Sequence, residues 1–218
     1  MNHKLRKICL GIIAVVLWLL AGAYLQARDF VQLQTLDSLD SIIGWTVSGS
    51  NWGPQTAILQ VAEPSQDGAA LALRYDFLGK TGSLNYCEYK KTIPLPSSTG
   101  LIQFWAWGDA SEHQLRIRLL DSSGQTLQYN LGSITWQGWK QVAVEISQAD
   151  SYWGGSETGT IAWPASFSSF VVDAKNSSFV GSGQIYLDLL ATGQKYPPRM
   201  LADSFDDNHW QVHTNSGT

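Results

Sequence analysis

The sequence predicts an all-β protein, a jelly-roll β-sandwich preceded by an N-terminal apolar helix. Three observations predict it. From Val31 onward no stretch sustains a helical period, while short alternating runs recur between Gly, Pro, Ser and Asp. Charged residues are 15 % of the chain, with 20 Gly and ten Trp against two Met. That composition, below the roughly 25 % charge of an average soluble domain, suits twisted strands and tight turns. The N-terminal end alone breaks the pattern, with one long apolar stretch.

That stretch opens on Lys4-Leu5-Arg6-Lys7 and runs apolar from Ile8 to Leu25, about the 18 residues that read as a spanning helix. Ala21-Gly22-Ala23 resembles a cleavage site. Residues 1–28 are therefore either a long signal peptide or an uncleaved membrane anchor. The basic side precedes the apolar run, so in either case the rest lies outside the cytoplasm, extracellular or at the cell surface. Cys9 stands at the start of the apolar run, whereas an acylated cysteine follows it, so it is not an acylation site.

The strand-like runs follow in order. They are Leu71–Phe77, Leu84–Lys91, Leu101–Trp107, Gln114–Leu120, Thr126–Leu131, Lys140–Ile146, Ser169–Asp173 and Gln184–Leu190. Asp121-Ser122-Ser123-Gly124 reads as the turn of a hairpin. Eight or more short strands at this spacing form a sandwich spanning residues 31–194. The Tyr-Pro-Pro run makes residues 195–200 a stiff linker. Beyond it, Ala202–Asp206 (ADSFD) echoes Leu36–Asp40 (LDSLD), and Trp210 follows as Trp45 does. Residues 201–218 therefore read as the start of a truncated second repeat, which one strand alone cannot pack.

Alternation sorts each strand into two faces. Ile102, Phe104 and Ala106 oppose Gln103, Trp105 and Trp107. Leu115, Ile117 and Leu119 oppose Gln114, Arg116 and Arg118. Leu127, Tyr129 and Leu131 oppose Gln128 and Asn130. Val142, Val144 and Ile146 oppose Gln141 and Glu145. The first set in each case is core. If these strands share a sheet, the second sets make one surface of amides, guanidinium groups and indoles. Sugars present hydroxyl edges and weakly apolar C–H faces, which such groups recognise. The candidate carbohydrate-binding residues are Gln103, Trp105, Trp107, Gln114, Arg116, Gln128 and Asn130, with Trp153 from the loop Tyr152–Glu157. The competing reading pairs Arg116 and Arg118 with Glu145 or Asp109 and packs the tryptophans structurally.

Other functions are poorly supported. A net charge of −4 without a basic patch disfavours nucleic acid. His3, His113, His209 and His213 are scattered, and Gly-x-Ser-x-Gly, HExxH and a phosphate loop are absent. No catalytic residues are therefore expected. Cys87 reads as a small buried apolar residue.

The runs LIQFWAWGDASEHQLRIRLLDSSGQTLQYNLG, GWKQVAVEI, SYWGG and IYLDLL, with an opening LDSLDS strand followed by Trp45, resemble the jelly-roll carbohydrate-binding modules of secreted bacterial glycoside hydrolases. The resemblance is to the galactose-binding-like group, similar to the family-eleven type, and covers nearly all of residues 31–194. It implies a non-catalytic module that binds a polysaccharide or oligosaccharide; the chain is expected to be a monomer. It also implies a structural Ca²⁺ between the first and last strands, held by Asp37 or Asp40 and by Asp188. The alternative is a structural or protein-interaction sandwich of a cell-surface protein.

Overall fold

The computed structural model describes residues 31–195. Its strands in chain order are β1 (Val31–Asp37), β2 (Thr46–Ser50), β3 (Ala57–Val61), β4 (Ala70–Phe77), β5 (Tyr86–Pro94) and β6 (Leu101–Asp109). They continue with β7 (Gln114–Asp121), β8 (Thr126–Ser133), β9 (Gln137–Glu145), β10 (Ser151–Trp153), β11 (Ala165–Asp173) and β12 (Gly181–Lys195). The strand pairings with a defined register among the described residues are antiparallel. One sheet runs β3-β4-β12-β6-β9, with β1 paired to β12; the other runs β10-β8-β7-β11-β5-β2. Gln32–Gln194 pack as one unit. The N-terminal apolar segment, most of the linker and the tail with Phe205 and Trp210 lie outside the described residues.

The eight sequence-read strands are present, with bounds shifted by a few residues. Three short ones, β2, β3 and β10, carry too few alternations to show. The opening strand differs more. It ends at Asp37, and LDSLD does not continue it. The chain turns there, with Leu39 at φ 63°. Leu39 is nonetheless fully buried, so its side chain is a core plug rather than a strand residue.

The core lies between the sheets and matches the alternation. Ile102, Phe104, Ala106, Leu115, Ile117, Leu119, Leu127, Tyr129, Val142 and Ile146 are buried. Leu131 and Val144 are only partly so, because their strands run out toward the sheet ends. An aromatic cluster ties the layers together. Phe170 of β11 stacks on Trp45 at 5.8 Å and meets Phe104 of β6 edge-on at 4.9 Å. The buried tyrosines keep their hydroxyls satisfied: Tyr89 donates to the Arg74 carbonyl and Tyr129 to that of Ile146. Cys87 is buried and free.

The β7–β8 hairpin closes as its sequence implies. Asp121 Oδ1 accepts from the amides of Ser123 and Gln125, and Gly124 takes φ 83°. The same carboxylate's Oδ2 accepts from the Ala162 amide, which pins the loop before β11.

Phe170→Ala removes the ring shared by both sheets. The expected loss is about 3–5 kcal/mol, read as a lowered urea midpoint at unchanged slope. A loss below about 1 kcal/mol would show that the cluster does not join the layers.

Candidate functional site

The predicted surface divides between two sheets. Gln103, Trp105 and Trp107 lie on β6, in the sheet of β12 and β9. Gln114, Arg116, Gln128 and Asn130 lie on β7 and β8, in the other sheet. The outer faces of a sandwich point apart, so these residues cannot form one site. Sequence alternation gives the face of each strand but not the sheet to which it belongs.

The second group does assemble. Register sets Arg116 opposite Asn130 and Arg118 opposite Gln128. β10 then pairs with the edge of β8, placing Ser151 opposite Gln128 and Trp153 opposite Thr126. From the other side, β11 and β5 bring Asp173, Ser169, Glu88 and Tyr86 to this face. Arg118 is the hub. Its Nε donates to Gln128 Oε1 at 2.9 Å, and its terminal nitrogen pairs with Glu88 Oε1 at 2.9 Å. The guanidinium lies 5.1 Å from the Tyr86 ring and 5.1 Å from the Trp153 ring, in cation–π range of both.

The neighbours are tied in as well. Arg116 pairs with Asp173 at 2.8 Å, and its buried Nε has no partner among the described residues. Ser169 donates to Glu88 Oε1, Ser48 to Glu88 Oε2, and Gln128 Nε2 to Ser151. Burial pushes the Glu88 carboxyl up, but the Ser169 hydroxyl and Arg118 outweigh it and hold it below the ordinary glutamate value. Asp173 goes the other way: burial raises its carboxyl against the pull of Arg116 and Arg118. Neither arginine pairs with Glu145 or Asp109.

A groove of about 350 Å³ opens here, lined by Leu84, Tyr86, Arg116, Arg118, Gln128, Trp153 and Asp173. A second hollow of about 320 Å³ shares Leu84, Arg116 and Asp173 and adds Gln114, Lys175 and Asn176. The two make one run across the face. Trp153 is 44 % exposed and Leu84 72 %, while Gln128 is 5 % exposed. The groove thus has free apolar rims and a fixed polar floor. Tyr86, Glu88 and Asp173 were missed from sequence. Alternation about Cys87 marks the first two, but nothing local marks their pairing with Arg118.

One wall depends on a buried histidine. His113 is fully buried among Tyr75, Phe77 and Phe179, with ring centroids 4.7–4.9 Å away. Its Nδ1 accepts from the Lys175 amide at 3.0 Å, and Nε2 has no partner among the described residues. Burial pushes the imidazole down to about 4; Lys175 adds to this, while Asp109 and Glu112 oppose it.

The proposed metal ligands are not equivalent. Asp37 is engaged elsewhere: Oδ1 accepts from the Leu39 amide and Oδ2 pairs with Lys91 at 2.6 Å. Asp188 sits at a bulge of β12, followed by Leu189 at φ 54°. It is fully buried. Its Oδ2 accepts from the amides of Gln66 and Asp67, and its Oδ1 has no partner among the described residues. Burial, with the charge of Asp40, raises its carboxyl above the ordinary aspartate value. Asp40 in turn accepts from the Ala69 amide at 2.7 Å. Two acids thus brace the 62–69 loop, with one buried oxygen unspent. No group of three His, Cys, Asp or Glu side chains able to hold a metal occurs among the described residues. A Ca²⁺ here would need carbonyl oxygens to complete its shell, as such sites commonly do.

Residues 97–190 match the family model of the flagellar filament outer layer protein FlaA, which is under half of the chain. No curated protein matches. A family 11 carbohydrate-binding module from Clostridium thermocellum, solved with a β-1,3-1,4-mixed-linked tetrasaccharide, aligns at TM-score 0.55 and 18 % identity. The alignment covers 75 % of this chain and 96 % of that one. A family 11 module from a cellulosomal cellulase of the same organism aligns at TM-score 0.54 and 18 % identity, covering 77 % and 96 %. The chain therefore has the jelly-roll sandwich fold of carbohydrate-binding modules.

The His113 environment has a measurable consequence. A histidine held neutral by the fold costs stability once the unfolded chain binds a proton and the folded one does not. The sign is a loss as pH falls from 6.5 toward 4, on the order of 3 kcal/mol. His113→Asn keeps an acceptor for the Lys175 amide, and its melting temperature should fall much less over that range. Parallel pH profiles for both proteins would rule His113 out as the cause.

Proposed function

We propose that residues 31–194 are a non-catalytic glycan-binding module whose site is the outer face of β10-β8-β7-β11-β5-β2. The Arg118 clamp carries this reading. Two aromatic rings flank a guanidinium whose bonds are already made, above a groove floored by amide and carboxylate groups. The rings offer platforms for sugar C–H faces. Gln128, Arg116 and Asp173 offer donors and acceptors for hydroxyls. Their mutual bonds fix them before a ligand arrives, which lowers the ordering cost of binding. The groove is open, so much of a glycan stays hydrated and affinity is modest. A shared fold with a module solved in complex with a mixed-linked tetrasaccharide supports the ligand class.

In the same reading, residues 1–28 carry the module out of the cytoplasm, as a cleaved signal or as an apolar helical anchor. The module then works as a monomer outside the cell or at its surface. Residues 195–200 link it to the start of a second repeat at 201–218. Asp40 and Asp188 hold a structural Ca²⁺ through the unspent Asp188 oxygen and nearby carbonyl groups. The ion neutralises Asp188, whose charge burial and the neighbouring Asp40 otherwise disfavour. Asp37 takes no part.

A second reading is a structural or protein-interaction sandwich of a surface assembly. The match of residues 97–190 to a filament outer layer protein favours it. Co-sedimentation separates the two: self-assembly without glycan retention supports the second, glycan retention by a monomer the first.

Trp153→Ala leaves the Arg118–Glu88 pair intact and removes one platform. Affinity for the best-bound of a panel of soluble β-glucan, mannan, xylan and pectin should fall by about 1–3 kcal/mol, measured by calorimetry. Equal affinity with an unchanged melting temperature would remove Trp153 from the site. For the metal, chelator should lower the melting temperature of the wild type and leave Asp188→Asn unmoved. A wild type indifferent to chelator and to added Ca²⁺ would end that assignment.

A further inference from the structure

The opposite face of the sandwich carries its own aromatic surface. Register places Trp139 of β9 beside Trp107 of β6, Trp107 beside Tyr186 of β12, and Tyr186 beside Ala72 of β4. These side chains point away from the core, since Ala106, Ile185, Leu187, Leu71 and Leu73 point into it. Trp107 meets Trp139 edge-on at 5.7 Å and 90°, and Tyr186 at 6.3 Å and 86°. All three rings are partly buried, each keeping some surface open. Trp139 and Tyr186 sit two strands apart, roughly 10 Å by strand spacing. Successive units of an extended β-linked glycan alternate in the face they present, so two platforms at that distance meet every second unit.

Polar recognition groups adjoin the row. Two residues along from Tyr186 and Ala72, Gln184 faces Arg74, and Arg74 Nε donates to Gln184 Oε1 at 2.8 Å. Arg74 is exposed and forms no ion pair among the described residues. A hollow of about 230 Å³ opens at this pair, lined also by Gln55 and Ser182. On the other side of the row stand Gln141 and Trp105, opposite one another. The row itself holds no charge. An uncharged aromatic row fits a neutral glycan better than a charged partner; amides and a guanidinium without an ion pair among the described residues border it on one side, and Gln141, Trp105 and the buried Asp188 under the 62–69 loop on the other.

We infer that the outer face of β3-β4-β12-β6-β9 is a second glycan-binding surface, centred on Trp107, Trp139 and Tyr186, which lets one chain hold two polysaccharide strands at once. The inference rests on the glycan reading of the protein but not on the Arg118 groove. Two sites pointing apart turn a monomer into a cross-linker, and linked sites raise avidity beyond either alone. This returns Trp107 to a binding role, at a site of its own, with Gln103 and Trp105 farther along β6 on the same face.

The test uses the full chain, Trp153→Ala, Trp139→Ala and the double variant. Each is run by affinity electrophoresis and light scattering against soluble mixed-linked β-glucan, mannan, xylan and pectin. Sedimentation velocity gives the oligomeric state. The wild type should cross-link one of these polymers as a monomer. Each single variant should bind roughly 5- to 150-fold more weakly and stop cross-linking while still being retarded. The double variant should lose retardation. Trp139→Ala that cross-links like the wild type overturns the proposal. So does a Trp153→Ala that abolishes all retardation, which leaves a single site at the Arg118 groove. A dimer that Trp139→Ala dissociates assigns the face to a second copy of the chain instead. Retardation sensitive to Trp139 but not Trp153 sinks the groove and keeps this surface. No retardation by any polymer removes both. Tyr186→Ala repeats the test if Trp139→Ala does not fold.

Discussion

The pairing of Arg118 with Glu88 is the constraint on which the candidate face depends. Glu88 is nearly buried on β5, and a buried carboxylate without a partner costs several kcal/mol. Exposed Lys90 supplies one partner at 3.2 Å, and Arg118 supplies the more buried one from β7, although β11 lies between the two strands. It then reaches β8 through Gln128 and is covered by Trp153 of β10 and Tyr86 of β5. Four strands are thereby locked in one register by one side chain. A polar floor fixed in this way keeps its shape when a ligand comes or goes. That is the physical basis for treating the groove as preformed.

Some of this was legible in the sequence and some was not. Core faces were readable because period-two alternation is a local property: Ile102, Phe104, Leu115, Ile117 and Leu127 all point inward as their spacing requires. Sheet membership was not readable, because it depends on which strands pair, and β6 and β7 are adjacent in sequence yet lie in different sheets. A single expected surface thus became two. The ion pairs were equally hidden. Arg116 meets Asp173, separated by more than fifty positions in the chain, and nothing near either residue announces the other. Trp153 could be named as a loop candidate, but the sequence left open whether its ring packs or faces solvent, because its strand was too short to show alternation.

The acids show the same limit. LDSLD offered Asp37 and Asp40 as equivalent partners for Asp188, and sequence left the choice open. Lys91 settles where Asp37 goes, 54 positions away. Asp40 and Asp188 remain together because both accept amides of the 62–69 loop. The strain visible at this point, Leu39 and Leu189 both in the left-handed region, is concentrated where those acids meet the loop. Burial without full pairing and unfavourable backbone angles coincide at this corner.

Placing a sugar in the Arg118 groove is the central claim. Its most direct test is a titration of isotope-labelled protein with a β-1,3-1,4-mixed-linked tetrasaccharide, following side-chain NH resonances. The account predicts shifts at the Trp153 indole, the Arg118 guanidinium and the Gln128 amide, with the deeply buried core amides unmoved. A saturating titration that shifts none of these three groups would contradict it.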